Sequence, residues 1–430
     1  MIYILAPFSL NVNTTGKNRI LSFYKQLKDN DLDAVILSPG LLDNEKNLFV
    51  HSAISTEETE ISPDFIYLEK ESSTRDSILS NIKNSKLSKI WNLFNLLNIF
   101  FKGYDLNYPS SSLFNYFEKN PLKKEDIVIA SAPPFSLFYS AASITEKYEC
   151  KLVLDYRDPW THGYLPIDNK FIMGKIKKLT GRVLENSILE SASLINCDSH
   201  NVKLLFPEKF QHKIEVILNG ANLNAIEQDE ILDHYPTFRV IYLGTIYNDQ
   251  LKDETFFSAL HDFLNEKNIA KGEFEIVFVG SIKNKKLPTL ISKYRLQNYT
   301  LITPRVDIKE AMKIAYTASA FLHLKYGDRV EVDTSKHLDY LALQKPILLP
   351  ITDYGNVAKS ISDNNAGYVC NDKVECIKAI EELWSKYKSG KSLRTPRTSD
   401  FLYNISREAE AEKLVKNIKA LQQRNEPLSN

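Results

Sequence analysis

Short apolar runs alternate along the chain with segments whose apolar residues recur every three or four positions. Ile2 to Ala6 is a continuous apolar run and reads as a buried first strand, ended by Pro7. A polar loop continues through Asn11, Thr14, Thr15, Gly16, Lys17 and Asn18. A helix from Arg19 to Lys28 then leads to a second strand, Ala34 to Leu37, closed by Ser38-Pro39-Gly40. Strand, loop, helix and strand in that order make a βαβ unit of a parallel sheet. The alternation repeats. Strands are expected at Phe65 to Leu68, Asp126 to Ser131, Lys151 to Tyr156, Leu194 to Asp198 and Lys213 to Leu218, where Asn219-Gly220 signals a turn. Residues 221–235 are polar and acidic and suit a linker. Beyond them, strands at Arg239 to Leu243, Glu275 to Val279, Tyr299 to Thr303 and Ala320 to Leu324 start the alternation again. Arg407 to Gln423 reads as a charged helix with Ala409, Ala411, Leu414, Val415, Ile418 and Leu421 as its apolar face. The pattern predicts an α/β protein with two Rossmann-like parallel-sheet domains, over 1–220 and 236–400, a linker over 221–235, and a last helix and tail over 401–430.

At 430 residues the chain is long enough for two or three domains, each with its own core. Formal net charge is zero, so no general electrostatic field argues for nucleic acid. Cys150, Cys197, Cys370 and Cys376 form no C-x-x-C pair, which argues against a zinc ribbon and against a secreted disulfide framework. The opening MIYILAPF lacks the positive region and long apolar core of a signal peptide, and no apolar run approaches membrane-spanning length. A reducing cytoplasm is the expected compartment. Over residues 83–104, Leu87, Ile90, Trp91, Phe94, Leu97 and Phe101 share a helical face flanked by Lys83, Lys86, Lys89 and Lys102. That stripe fits an interfacial helix at the inner face of the plasma membrane, or an internal helix packed on a sheet.

The chemistry concentrates in Glu331 to Pro350, EVDTSKHLDYLALQKPILLP. A loop ending in Thr334 and Ser335 feeds a helix from Lys336 to about Gln344, and Lys345-Pro346 breaks it before the apolar run Ile347-Leu348-Leu349. A helix N-terminus is a ready anion site, because its first N–H groups lack partners and the dipole adds positive potential. A carboxylate one turn inside, Asp339, suits sugar hydroxyls, so the residues point to a nucleotide or phosphosugar; an amphipathic surface helix before a buried strand is the plainer alternative. Two further segments fall at carboxyl ends of expected strands, where ligands bind in open α/β sheets. One is the loop with Gly16, which by itself reads as a turn residue. The other is Arg157-Asp158-Pro159-Trp160, followed by His162; Arg157 reads equally as a ligand-facing group or as a staple to Asp155 or Asp158.

The run S-K-H-L-D-Y-L-A-L-Q-K-P-I-L resembles the P-x-K-L-x-E-Y-L-A-x-x-K-P-I-L signature of family-4-type glycosyltransferases with the two-domain GT-B fold. S-A-P-P-F-S-L-F and L-V-L-D-Y-R-D-P-W are similar to a stretch in bacterial surface-polysaccharide members, those of capsule and O-antigen assembly. The likeness covers residues 1–40, 126–220 and 239–385 in pattern. It implies two domains facing across a cleft, the last helix crossing back to the first, and a retaining, metal-independent transfer. The donor would be a nucleotide sugar and the acceptor a glycan or lipid-linked glycan, with no cofactor. Glu331 and Asp339 match the family's Glu-x7-Glu spacing, with Asp in the second place. The resemblance puts Glu331 near the sugar hydroxyls, Asp339 on the ribose, and Ser335, Lys336 and His337 at the diphosphate. It makes Gly16, otherwise a turn residue, a glycine bordering acceptor and donor phosphate. Gly244 and Lys252 follow the second domain's first strand, where relatives clamp the diphosphate, although Thr245 stands where they often carry Arg. Arg305 and Val306 lie where relatives receive the base, and Arg157, Asp158 and His162 would face the acceptor. The rivals are a nucleotide-sugar epimerase of the same fold and a non-catalytic nucleotide-sugar-binding protein. A metal-dependent transferase would need an Asp-x-Asp site, and Asp31-Leu32-Asp33 falls at the amino end of a strand, the wrong side of the sheet.

Overall fold

A computed structural model describes residues 1–10, 15–39, 62–68, 110–162, 172–327, 329 and 335–423. Glu331 and the 83–104 stripe lie outside the described residues. The chain divides into two compact units, Met1–Leu218 with Ala411–Asn430, and Asn219–Glu410. Among the described residues, no helix is long and apolar enough to cross a membrane.

The first unit runs β1 (Ile2–Leu5), α1 (Thr15–Asp29), β2 (Ala34–Pro39), β3 (Phe65–Leu68), α2 (Ser110–Lys119), β4 (Ile127–Ala132), α3 (Ser136–Tyr148), β5 (Lys151–Tyr156), α4 (Ile172–Ser191), β6 (Leu194–Cys197), α5 (His200–Leu205) and β7 (Ile214–Val216). Its strands form one parallel sheet in the order β3-β2-β1-β4-β5-β6-β7. The strand period of two divides the apolar residues between both faces. Leu5, Leu37, Val128, Ala130 and Leu154 pack with residues of α2, α3 and α4, whereas Ile2, Ile4, Ile36, Ile129 and Val153 pack with Ile20, Phe23 and Leu27 of α1. A parallel sheet covered on both sides shows continuous apolar runs, which is why these strands stand out in the sequence.

The second unit runs β8 (Phe238–Leu243), α6 (Thr255–Glu266), β9 (Phe274–Val279), α7 (Lys286–Lys293), β10 (Thr300–Ile302), α8 (Ile308–Tyr316), β11 (Ala320–Leu322), α9 (Ser335–Ala342), β12 (Ile347–Leu349), α10 (Asn356–Asp363), β13 (Gly367–Val369), α11 (Lys373–Lys388) and α12 (Ser399–Asn404). Its parallel sheet has the order β10-β9-β8-β11-β12-β13. Phe238, Phe274 and Phe278 of the strands meet Phe256, Phe257, Leu260 and Phe263 of α6 in its core. Each such fully buried side chain stabilises the fold by about 1.5–3 kcal/mol relative to exposure. The closing helix α13 (Arg407–Gln423) places Ala411, Leu414, Val415, Ile418 and Leu421 in the core of the first unit.

Two helix boundaries differ from the sequence reading. Helix α1 begins at Thr15, four residues before Arg19, so Gly16 and Lys17 sit in its first turn. Lys17 and Arg19 are buried there, and tertiary contact extends the helix through residues that read as loop. Helix α9 stops at Ala342 instead of Gln344, because Gln344 takes a left-handed φ of 54° ahead of Pro346.

Candidate functional site

In the second unit, β8 and β11 pair with each other while β9 and β10 lie to one side and β12 and β13 to the other. The strand order reverses there, and the carboxyl ends at such a switch point are where open α/β sheets bind ligands. Strand β8 runs into Gly244, whose φ of 95° is unfavourable for any residue with a Cβ. A Cβ at Gly244 would also sit 3.0 Å from Cε of Lys336, so the lysine side chain lies directly across the glycine. Lys336 occupies the first turn of α9. Its Nζ donates to Tyr242 Oη at 2.9 Å, to Thr245 O at 3.2 Å and to Tyr326 Oη at 3.5 Å. It also lies 4.8 Å from the centre of the Tyr242 ring. Among the described residues these partners of the half-buried ammonium are all neutral oxygens, with no carboxylate among them. Burial pushes the Tyr242 phenol up and that of Tyr326 up to about 12, which keeps both uncharged.

The neighbouring strand ends are tied to the same place. Ser281 donates its hydroxyl to Gly244 O at 2.8 Å, and Gly280 N donates to Thr303 O at 3.2 Å. The Cβ position of Gly280 faces the Gly244 backbone at 3.6 Å and Cα of Arg305 at 3.7 Å. Arg305 and the exposed phenol of Tyr247 act on each other electrostatically, and Val306 follows half-buried. The structure therefore brings together Gly244, Lys336 and Arg305, with Tyr242, Tyr247 and Tyr326 around them.

Lys252, His337 and Asp339 are engaged by other residues. Lys252 is exposed and pairs with Asp249 at 2.6 Å, beside Gly327. His337 is buried, with its ring 6.4 Å from that of His323. Asp339 accepts the backbone N–H of Asn222 at 3.1 Å and lies close to Arg407; burial raises its carboxyl, and the guanidinium opposes that. Ser335 is the first residue of α9.

In the first unit, β1 and β4 form the corresponding reversal. Arg157 leaves the end of β5, donates Nη2 to Pro133 O and lays its guanidinium 5.1 Å from the centre of the Phe8 ring. A Cβ on Gly16 would come 2.3 Å from Nη1 of Arg157 and 2.6 Å from Phe8, so this glycine serves a close approach. The guanidinium thus rests against the start of α1, and no acidic residue occupies that helix's first turn. Burial lowers its pKa, while Asp158 and Asp155 counteract. The staple to Asp155 is not formed: Asp155 receives Arg19 at 2.7 Å and Ser131 Oγ at 2.7 Å, all three buried. Asp158 is exposed, and His162 Nε2 shares a 2.8 Å hydrogen bond with Asn186 Oδ1. A groove of about 430 Å³ between α3 and α4 includes Cys150 and Ser191, at the amino ends of β5 and β6 and away from these groups.

Sequence reasoning missed Tyr242, Gln250 and Tyr326. Gln250 is buried and bridges Tyr242 Oη and Leu324 O, each at 3.1 Å. The only signal was the alternation in RVIYL, which puts Tyr242 on the same strand face as Val240.

No protein-family profile matches the chain, and no curated protein does. Solved structures are similar over nearly the whole length. Sucrose-phosphate synthase from Thermosynechococcus elongatus shares 12% identity with a TM-score of 0.65, covering 99% of each chain. Anabaena HepE in complex with UDP shares 12% identity with a TM-score of 0.60, over 97% of this chain and 99% of that one. UDP-GlcNAc 2-epimerase from Methanocaldococcus jannaschii shares 11% with a TM-score of 0.51, over 97% and 99%. At these identities the likeness is one of fold: two Rossmann-like parallel-sheet domains of the GT-B class.

Proposed function

We propose that this protein is a glycosyltransferase that moves a sugar from a nucleotide-diphosphate sugar to a glycan or lipid-linked glycan acceptor, with retention and without a metal, in bacterial surface-polysaccharide assembly. The observation that carries the reading is Lys336: an ammonium at the start of α9, at the switch point of the second sheet, held among the described residues by neutral oxygens. A diphosphate supplies the missing negative charge. When the glycosidic bond breaks, charge grows on the departing phosphate while the sugar becomes oxocarbenium-like. Lys336, Arg305 and the first N–H groups of α9 would stabilise the leaving group, each gaining strength as the charge develops. Gly244 leaves room for the Lys336 side chain to cross it, and Gly280 lets the strand ends at Gly244 and Arg305 lie close together. Arg157, Asp158 and His162 are assigned to the acceptor, and Glu331 to the sugar hydroxyls. Membrane contact through 83–104 belongs to the proposal on the sequence pattern alone. The UDP carried by Anabaena HepE supports testing uridine nucleotides first.

The test is thermal unfolding with UDP, GDP, CDP and their sugars, with and without EDTA. A nucleotide at 100 times its Kd should stabilise the fold by about 2.7 kcal/mol. The shift should survive EDTA and Lys252→Ala and disappear in Lys336→Met. Conversion of a nucleotide sugar to its epimer without acceptor would select the epimerase reading. Properly folded protein that responds to no nucleotide would leave a non-catalytic protein of this fold.

A further inference from the structure

Glu185 of α4 is fully buried, and no cation pairs with it among the described residues. Its partners come from β5 and the segment after it. Tyr156 donates its hydroxyl to Oε1 at 3.1 Å, and Thr161 N donates to Oε2 at 2.9 Å. The Thr161 hydroxyl also donates to Oε2, and the His162 backbone N–H adds a fourth bond. The adjacent residue, Asn186, holds the His162 ring. Two consecutive positions of one helix therefore fix residues 161 and 162. On the other side of this loop Trp160 stacks on Phe135, ring centres 4.9 Å apart and planes 3° from parallel.

Packing alone does not call for a carboxyl here. Glutamine has the same shape, carries no charge to desolvate and accepts the same bonds at one oxygen. What a carboxyl adds is a proton that comes and goes. The ionised group accepts all four bonds. The neutral acid must donate one: the Tyr156 hydroxyl can turn to accept it, but the backbone N–H groups of Thr161 and His162 cannot.

We propose that Glu185 is a positioning residue whose ionisation sets how firmly the loop from Arg157 to His162 is held, and so tunes the acceptor-side groups with pH. Burial without a cation raises this carboxyl to about 7, against the hydrogen bonds that favour its charge. Among the described residues, the groups that face it are uncharged at that pH or distant from it. Tyr156, from β5, is pushed well above its ordinary value by burial and by Glu185 itself. From the loop, Thr161 and the His162 backbone face the carboxyl, while the His162 ring turns to Asn186. From α3, Glu146 shares the groove of Leu184 and Ser187, which does not include Glu185.

The consequence for activity rests on the glycosyltransferase reading; the hold on the loop does not. Amide NMR of the full chain tests the hold. The Thr161 and His162 amide signals should titrate with a shared midpoint near 7. The titration should vanish in Glu185→Gln and persist in His162→Gln, which removes the ring's own protonation. Trp160 fluorescence should follow the same midpoint. Flat amide signals between pH about 5.5 and 8.5, or an unchanged titration in Glu185→Gln, would overturn the proposal. In a transfer assay, the acceptor KM should vary with pH in the wild type and lose that variation in Glu185→Gln while kcat at high pH stays within about threefold. An equal pH dependence of KM in both proteins would confine Glu185 to a structural role. Absence of any transfer, with the amide titration intact, would remove the transferase reading and leave the loop clamp standing.

Discussion

Replacing Gly244 by alanine tests the geometry of the second-unit site, because the methyl group meets two obstacles of different kinds. The first is local: at φ 95° an L-residue carries strain of about 1–3 kcal/mol. The second is the lysine 3.0 Å away. The Lys336 side chain is flexible enough to move, but moving it forfeits the bonds to Tyr242 and Thr245, a net loss of about 1–2 kcal/mol once the ammonium is rehydrated. The expected total is about 2–5 kcal/mol. Lys336→Met in the Gly244→Ala background separates the two terms, since without the ammonium only the backbone strain is left. A coupling of about 1 kcal/mol between the substitutions is expected, against about 0.3–0.5 for independent sites. Urea unfolding should be followed through Trp384, which packs against Phe238 and Phe274 in this unit's core, with Trp91 and Trp160 replaced by phenylalanine. A Gly244→Ala protein within about 0.5 kcal/mol of its parent, or strict additivity in the double mutant, would refute the close contact.

Asp155→Ala should cost about 3–5 kcal/mol in chemical unfolding, because it strands the Arg19 guanidinium in a site where it is 2% exposed; a loss under about 1 kcal/mol would mean that water reaches the pair. Lys345 is buried, donates to Leu232 O at 2.6 Å, and is lowered to about 8 by burial. The unfolded chain binds this proton up to about 10.4, so the lysine's penalty is fully present below pH 8 and is relieved as pH rises between the two values. The stability difference between Lys345→Met and wild type should therefore move in favour of the wild type by about 3 kcal/mol over that window, and a difference independent of pH would refute the shifted lysine.

Legibility in the sequence followed burial. Strands covered on both faces, such as Ile127–Ala132 and Ile347–Leu349, leave unbroken apolar runs and were readable within a residue or two. The start of α1 was not, because Lys17 and Arg19 are polar by type and buried only through contacts far along the chain, Arg19 with Asp155 and Leu218. Of the candidate residues, Lys336 was found through a motif, and its neighbour Gly244 through its place after a strand. Tyr242 and Gln250 were hidden, one as another apolar-looking strand residue and the other inside a polar loop. Glu185 gave no signal at all. Its surroundings are made by Tyr156, Thr161 and His162, more than twenty residues earlier, and a lone glutamate on a helix is ordinarily a solvated one.

The signature segment itself divides between chemistry and architecture. Lys336 turns to the switch point, and Tyr340 supports it from behind, accepting Leu243 N at 2.9 Å and stacking on Phe321 with ring centres 4.3 Å apart. The remaining polar positions hold the chain between Asn222 and Leu232. Asp339 takes the Asn222 amide, Gln344 donates to Gln228 at 2.6 Å, and Lys345 caps the carbonyl of Leu232. Gln344 also receives Arg397 N at 2.8 Å, so one side chain binds two segments far apart in sequence. Such positions are constrained by the backbone they tie down, whatever the ligand. A match at K-P-I-L therefore speaks for the fold, and Lys336 is the position on which the proposed anion site rests. Aspartate in place of glutamate fits the same division: its shorter side chain reaches the Asn222 backbone from the helix surface, and a carboxylate committed there has one fewer lone pair to offer a ribose. If this protein holds a nucleotide, the phosphates at Lys336 and Arg305 should carry more of its affinity than the ribose does.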